Sequence, residues 1–242
     1  MMRIEVEISG KTYSADIKNG FDLSIPVGKQ DEVNAYGLPQ SKIEVFEAGG
    51  FIGDVNQGGS CNVRSIYMQP HGNGTHTECR GHISEKYMTI YETLNNFLFT
   101  ATLITLSVET CIEPQDLTDL KTMPGTDALI IRTQPNSPNK LGKNYLGSNP
   151  VYISEAAMGE IVDLNYQHLL IDLPSVDHET DPHLKSHHIF WADSGLNKIE
   201  KTITELIYVN NDINDGLYLL NLMVPSIYCD AVPSKPIVYP LR

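Results

Sequence analysis

The chain has 242 residues, with 17 Lys plus Arg against 30 Asp plus Glu for a net charge of −13, and 41% of it is hydrophobic. That length and apolar fraction predict a single domain over residues 1–242 with a substantial core, and exclude a disordered tail or a disulfide-built miniprotein. An acidic balance with no cluster of Lys and Arg excludes the electrostatic footprint that nucleic-acid binding needs.

The N-terminal residues alternate charged and apolar side chains, without an apolar h-region or a small-residue cleavage site, so no secretion signal is read there. Ile4, Val6 and Ile8, then Tyr13, Ala15 and Ile17, alternate on either side of Ser9-Gly10-Lys11, the pattern of a β-hairpin. Residues 20–60 are rich in Gly, Asn, Gln and Pro, with strands expected at 43–46 and 51–55, and predict loops around a site. The most apolar stretch, Phe97 to Leu106, carries three threonines and is about half of the ~20 residues that span a bilayer, so no membrane span is expected. An apolar run at 98–108 and a compact strand at 127–132 precede an Asn- and Pro-rich loop from Gln134 to Pro150. Ser154 is placed to cap a helix whose Met158, Ile161 and Val162 share a face, with Glu155 in its first turn. A buried strand follows at 169–171, then a helix or strand over 199–209, a turn at 211–216 and a strand at 217–224. The order of elements is mixed β and α, with no internal repeat and no linker that would split the chain into two domains. Cys61, Cys79, Cys111 and Cys229 lack CxxC spacing, which predicts free thiols in a reducing, cytoplasmic compartment.

Two histidine groups carry the chemistry. His71, His76 and His82 fall within twelve residues, and His178, His183, His187 and His188 within eleven. Imidazole and carboxylate are the ligands that suit Zn²⁺ and Mn²⁺, and a glycine-rich turn allows His71 and His76 to converge. His76 and Glu78 point to one side if the backbone is extended. A surface loop or a polar network around a turn would account for three histidines without any metal. No GxSxG elbow is present, so serine-nucleophile chemistry is set aside, and Cys79 is read as a packing residue.

The segment from His71 to His82 resembles the HxGTHxDxPxH signature of the cyclase family of metal-dependent hydrolases, which includes bacterial kynurenine formamidase and isatin hydrolase. Asp22-Leu-Ser-Ile-Pro26 is similar to the family's DLSxPL opening. Asp172-Leu-Pro-Ser175-Val-Asp177 with Ser186-His187-His188 resembles its D-x-PSxD…xHH block, Thr202–Leu206 its ILENL segment, and Gly216–Pro225 its GxYxLIALP strand. The resemblance implies one α/β domain of the swivelling β/β/α type, associating as a homodimer or homotetramer around a small-molecule substrate. It implies one or two Zn or Mn ions, with His71, His76 and Glu78 on one ion, Glu78 and Glu205 bridging, and His187 completing a second site. His188 is the alternative ligand to His187, and His82 takes the position of the catalytic acid/base. Three departures stand out: one extra residue separates His71 from His76, Glu78 replaces an Asp, and the interval from His187 to Glu205 is long. His71 serves as a ligand only if the Gly-Asn-Gly turn bulges.

The activity implied is hydrolysis of the C–N bond of a small aryl-formamide-type substrate, of which formylkynurenine is the best-known class. The alternatives are a lactam or cyclic-imide hydrolase resembling isatin hydrolase, and a non-catalytic metal- or ligand-binding member in which the departures have disabled the site. Tyr36 and Phe51 are candidates for an aromatic substrate wall, and Arg80 for a bidentate contact to a substrate carboxylate.

Overall fold

The computed structural model describes residues 2–192 and 201–242. In chain order its strands are β1 (Arg3–Ile8), β2 (Lys11–Asp16), β3 (Phe21–Asp22), β4 (Lys42–Val45), β5 (Glu47–Ala48), β6 (Phe51–Ile52), β7 (Arg64–Tyr67), β8 (His76–Glu78) and β9 (Leu98–Ser107). They continue with β10 (Cys111–Ile112), β11 (Ala128–Gln134), β12 (Tyr152–Ile153), β13 (His168–Ile171), β14 (Thr202–Glu205), β15 (Gly216–Met223), β16 (Ala231–Pro233) and β17 (Lys235–Pro240). The helices are two single turns, α1 (Pro70–Asn73) and α2 (Ile90–Thr93), and two longer ones, α3 (Glu155–Asp163) and α4 (Lys185–Ala192).

The expected N-terminal hairpin forms β1 and β2. Ser9 and Gly10 both take positive φ, which suits a two-residue turn between twisted strands. The strand expected at 51–55 stops at Ile52, because the Asp54 carboxylate accepts the Asn56 amide and opens a 3-10 turn over Val55–Gln57. Within the segment 199–209, Thr202–Glu205 forms a strand, β14; residues 199 and 200 lie outside the described residues.

One sheet of nine strands runs in the order β16-β8-β14-β13-β11-β9-β15-β17-β3. Its centre, β9, β11, β13 and β14, is parallel, and the strands on both flanks are antiparallel. Central parallel strands are covered on both faces, which is why β11 and β13 read as unbroken apolar runs. Period-two alternation divides those runs between two cores. Leu129, Ile131, Leu169 and Ile171 pack with Met158 and Ile161 of α3 and Phe190 and Trp191 of α4. Ala128, Ile130 and Leu170 face the opposite way and meet Leu220, Val232 and Val238, so the sheet curls until both of its flanks share one core. Each fully buried Leu or Ile contributes about 1.5–3 kcal/mol of transfer free energy, and the two layers fix where the strand ends fall. Ser154 caps α3 as expected, its hydroxyl accepting from the Ala157 amide. The chain is therefore a mixed α/β single domain with a curled sheet.

His168 on β13 is the one core imidazole remote from the histidine clusters. It is 2% exposed, packs at 4.0 Å from the Phe99 ring and shares a hydrogen bond with the Thr202 hydroxyl. Burial lowers its pKa to about 4, with Asp127 opposing. The unfolded chain takes this proton near pH 6.5, well before the folded chain does, so stability falls as pH drops from about 6.5 toward 4. The loss from this one group comes to about 3 kcal/mol at pH 4 and below. Urea denaturation at pH 7 and pH 4.5 should show wild type losing about 2 kcal/mol more than His168→Asn over that interval. Equal losses in the two proteins would refute the assignment.

Candidate metal centre

Strand β8 is three residues long, yet its alternation builds the centre of the site. Thr77 turns away to pair with the Thr204 hydroxyl, while His76 and Glu78 face the other side, both fully buried. Antiparallel pairing places Glu205 of β14 opposite His76, with Glu205 Oε2 3.4 Å from His76 Nε2. Cys79 enters the core, as expected, beside Ile90 and Leu94.

His71 reaches this group from α1. The residue inserted between His71 and His76 is taken up by the helical turn Pro70–Asn73, so the backbone bulges as the spacing requires. Two glycines permit it: a Cβ on Gly74 would lie 2.8 Å from Val27 Cγ2 and 2.9 Å from the Ile25 carbonyl, and one on Gly72 2.9 Å from Leu38 Cδ1. His71 Nδ1 then sits 3.3 Å from Glu78 Oε2 and its Nε2 3.1 Å from Asp230 Oδ2.

A third imidazole comes from α4. Asp177 accepts from the backbone amides of Ser186 and His187 at the start of that helix, and from His187 Nδ1 at 2.5 Å. His187 Nε2 is thereby aimed at Glu78 Oε1, 3.0 Å away, and lies 3.7 Å from Glu205 Oε1. His188, the next residue around the helix, is exposed and takes no part. His82, on the 3-10 turn Arg80–His82, stands at the edge of the group, with Nε2 3.8 Å from Glu78 Oε2 and Nδ1 3.5 Å from Asp230 Oδ2.

Four imidazoles and four carboxylates thus converge in and around one buried point. Burial works against a charge on His187, but Glu78 and Asp177 outweigh it and raise its pKa to about 10. His71 is likewise raised to about 10, burial being outweighed by Asp230 and Glu78. Glu78 is held well below the usual carboxylate range, His187 overcoming the cost of burial, and Asp177 is lowered by the same partner. Asp230 is held far down by its bonds to His71 and His82.

The donor set fits a divalent ion. His76 Nδ1 donates to the Gly74 carbonyl at 3.0 Å, which leaves Nε2 as a lone pair. That Nε2 and Glu78 Oε2 are buried without a hydrogen-bond partner, the state expected of ligand atoms rather than of packed polar groups. His71, His76 and Glu78 can bring one ligand atom each within 4.8 Å of one another, and so can Glu78, His82 and His187, and His71, His82 and Asp230.

Beside the cluster lies a cavity of about 320 Å³ whose wall includes Tyr36, Leu38, His71, His82, Leu184 and Glu205. Tyr36 is fixed there by its hydroxyl, which donates to the Pro174 carbonyl at 2.9 Å; burial raises its phenol pKa. Phe51 and Arg80 do not line this cavity. Phe51 is held in the β5–β6 hairpin, its ring 6.5 Å from that of Phe46, and Arg80 is exposed because the turn that buries Cys79 and directs His82 inward sends it to solvent. Asp177 and Asp230 were not anticipated as site residues. Asp177 lies in the quoted Pro-Ser-Val-Asp block, whereas Asp230 has no local motif around it. Asp172 of the same block serves elsewhere, accepting from Thr133 and from Lys140 Nζ at 2.7 Å.

Residues 21–178 match the Cyclase family model, described as "Putative cyclase". No curated protein matches the sequence. Solved structures do share the fold. One is described as a potential metal-dependent hydrolase with cyclase activity, with TM-score 0.67 and 18% identity over 92% of this chain and 98% of that one. A predicted metal-dependent hydrolase from Bacillus stearothermophilus has TM-score 0.67 and 19% identity over 91% and 98% of the two chains. Isatin hydrolase A from Labrenzia aggregata has TM-score 0.68 and 14% identity over 91% and 93%. With the family model covering well over half of the sequence, the chain belongs to the Cyclase family.

Proposed function

We propose that the protein is a metal-dependent hydrolase that cleaves the C–N bond of a small aryl-formamide-type amide. One or two Zn²⁺ or Mn²⁺ ions would be held by His71, His76, Glu78, His187 and Glu205, with His82 as acid/base. The observation that carries this reading is the pair of buried atoms without a hydrogen bond, His76 Nε2 and Glu78 Oε2, at the focus of the cluster. When bound there, a divalent ion acts as a Lewis acid and lowers the pKa of water to about 7.

The chain's own groups do the rest. His76 and His187 commit their Nδ1 protons to the Gly74 carbonyl and to Asp177, so both present Nε2 inward. Glu78 and Glu205 supply the negative charge that a divalent ion needs. His82 lines the cavity with part of its ring open, placed to take a proton from the attacking water and return it to the departing nitrogen. Leu38, Leu184 and Tyr36 offer an apolar wall for a flat ring.

A second reading, hydrolysis of a lactam or cyclic imide, is favoured by the isatin hydrolases among the structures sharing the fold, one of them bound to the product analogue thioisatinate. Ring opening there breaks the same kind of bond. Four unpaired cysteines support a cytoplasmic setting; no described helix is long and apolar enough to cross a membrane. Exposed Ile43, Phe46, Ile66 and Tyr67 around the β4–β7 pair support self-association as a dimer or tetramer.

The decisive test is elemental analysis of untagged protein purified without chelator, for wild type and His76→Ala, with mass in solution measured by light scattering. About one to two equivalents of Zn or Mn per chain, lost in the variant, are expected, with formanilide or isatin consumed by the loaded protein. Wild type that takes up no metal after dialysis against both ions would overturn the proposal and leave a non-catalytic binding protein.

A further inference from the structure

Asp230 is a carboxylate that the chemistry above leaves unused, and it is held in place from several sides. Its carbonyl accepts from the Cys79 amide at 3.0 Å, the Cys229 carbonyl accepts from Ile90, and β16, which begins at the next residue, pairs with β8 so that Ala231 lies opposite Glu78. Gly81 opens the space beside it: a Cβ there would lie 2.1 Å from the Met88 carbonyl and 3.3 Å from Asp230 Cβ. One oxygen of this carboxylate, Oδ2, faces two imidazoles at once, His71 Nε2 at 3.1 Å and His82 Nδ1 at 3.5 Å, while the two rings lie 4.2 Å apart.

We propose that Asp230 is a positioning residue shared by the metal-binding and proton-transfer halves of the site, fixing the tautomers of His71 and His82 together. A carboxylate draws a ring N–H toward itself, and because both rings also face Glu78, the single proton of a neutral ring goes to the nearer carboxylate, Asp230 at 3.1 Å against 3.3 Å for His71 and at 3.5 Å against 3.8 Å for His82. In a neutral imidazole the opposite nitrogen is then the lone pair. For His71 that is Nδ1, 3.3 Å from Glu78 Oε2 and directed at the focus of the cluster. For His82 it is Nε2, 3.8 Å from Glu78 Oε2, where a base must stand to accept a proton beside the cavity. Without Asp230 each ring is free to place its proton on the inward nitrogen, which removes a ligand in one case and a base in the other. The inference rests on the metal-hydrolase reading for His71, whereas its His82 half stands on ring geometry alone.

The test compares wild type with Asp230→Ala and Asp230→Asn, using Zn²⁺ as the probe ion. Zn²⁺ affinity is read by chelator competition, and histidine ring tautomers by ¹⁵N–¹H correlation at pH 8 with selectively labelled histidine, with and without Zn²⁺. Wild type should show His82 as the Nδ1–H tautomer in both states. Asp230→Ala should bind Zn²⁺ about 10- to 100-fold more weakly at unchanged saturating stoichiometry, with His82 shifted toward Nε2–H. Asp230→Asn keeps an accepting oxygen and should keep the His82 tautomer while losing part of the affinity. An Asp230→Ala affinity within twofold of wild type together with an unmoved His82 tautomer would overturn the proposal. So would the loss of one full equivalent at saturation, which would make Asp230 a ligand. Should Asp230→Ala not fold, an Asp230→Asn affinity equal to that of wild type overturns it. Wild type that binds no Zn²⁺ would sink the metal reading separately, with the tautomer measurement still deciding the His82 half.

Discussion

Replacing His82 with alanine is expected to lower kcat on any substrate the protein turns over by about two to four orders of magnitude while metal content stays at the wild-type level. The two readouts part because of where the ring sits. Its Nε2 contact to Glu78, at 3.8 Å, is the longest in the cluster, and its side chain is 26% exposed, against 2% for that of His187 and none for that of His76. A ligand to a buried ion would be drawn into the focus; a proton carrier must face both that focus and the cavity. His82→Gln, which restores shape without a titratable group, should be nearly as slow as the alanine variant. Loss of an equivalent of metal in His82→Ala would instead make His82 a ligand, in the group it can form with Glu78 and His187, and would leave the acid/base role unfilled.

The elements legible in the sequence are those whose patterning is long enough to declare itself. Strands β9, β11 and β13 read as apolar runs because both of their faces are buried, and α3 reads from its Ser154 cap and from Met158, Ile161 and Val162 on one face. Strands β8 and β16 are three residues each, too short for any period to be recognised, yet together they place Glu78 beside Asp230. Segment 199–209 stays ambiguous in sequence because Thr, Ile and Leu in a short run suit either state. His71, His76, Glu78 and His82 are visible as a group because they lie in one segment. His187 and Glu205 come only with the family resemblance, and Asp177 and Asp230 only with tertiary structure, since a carboxylate that orients an imidazole needs no fixed spacing from it. Phe51, an aromatic residue in a loop-rich region, carries no such spacing signal, and the structure places it in its own hairpin beside Phe46.

Glu78→Gln is expected to abolish metal binding and to destabilise the metal-free protein by about 3 kcal/mol at pH 7, as measured by metal analysis and urea denaturation. Glu78 is fully buried and, among the described residues, is the one carboxylate within 4 Å of three imidazoles, His71, His82 and His187. Removing its charge leaves His187 to Asp177 alone and His71 to Asp230 alone, in a largely buried cluster where losing one carboxylate is costlier than losing a surface pair. Glu78→Asp gives a finer test, because it installs the residue usual in the family. Shortening the side chain withdraws the carboxylate by roughly 1.5 Å, while the extra residue between His71 and His76 still holds His71 on its helical turn. The contacts at 3.0 Å to His187 and 3.3 Å to His71 cannot both survive that retreat. The longer acid and the inserted residue therefore offset one another, and Glu78→Asp alone should weaken metal binding about tenfold or more. Undiminished affinity in Glu78→Asp would show that the carboxylate does not bridge the two imidazoles, and that His71 and His187 serve separate sites.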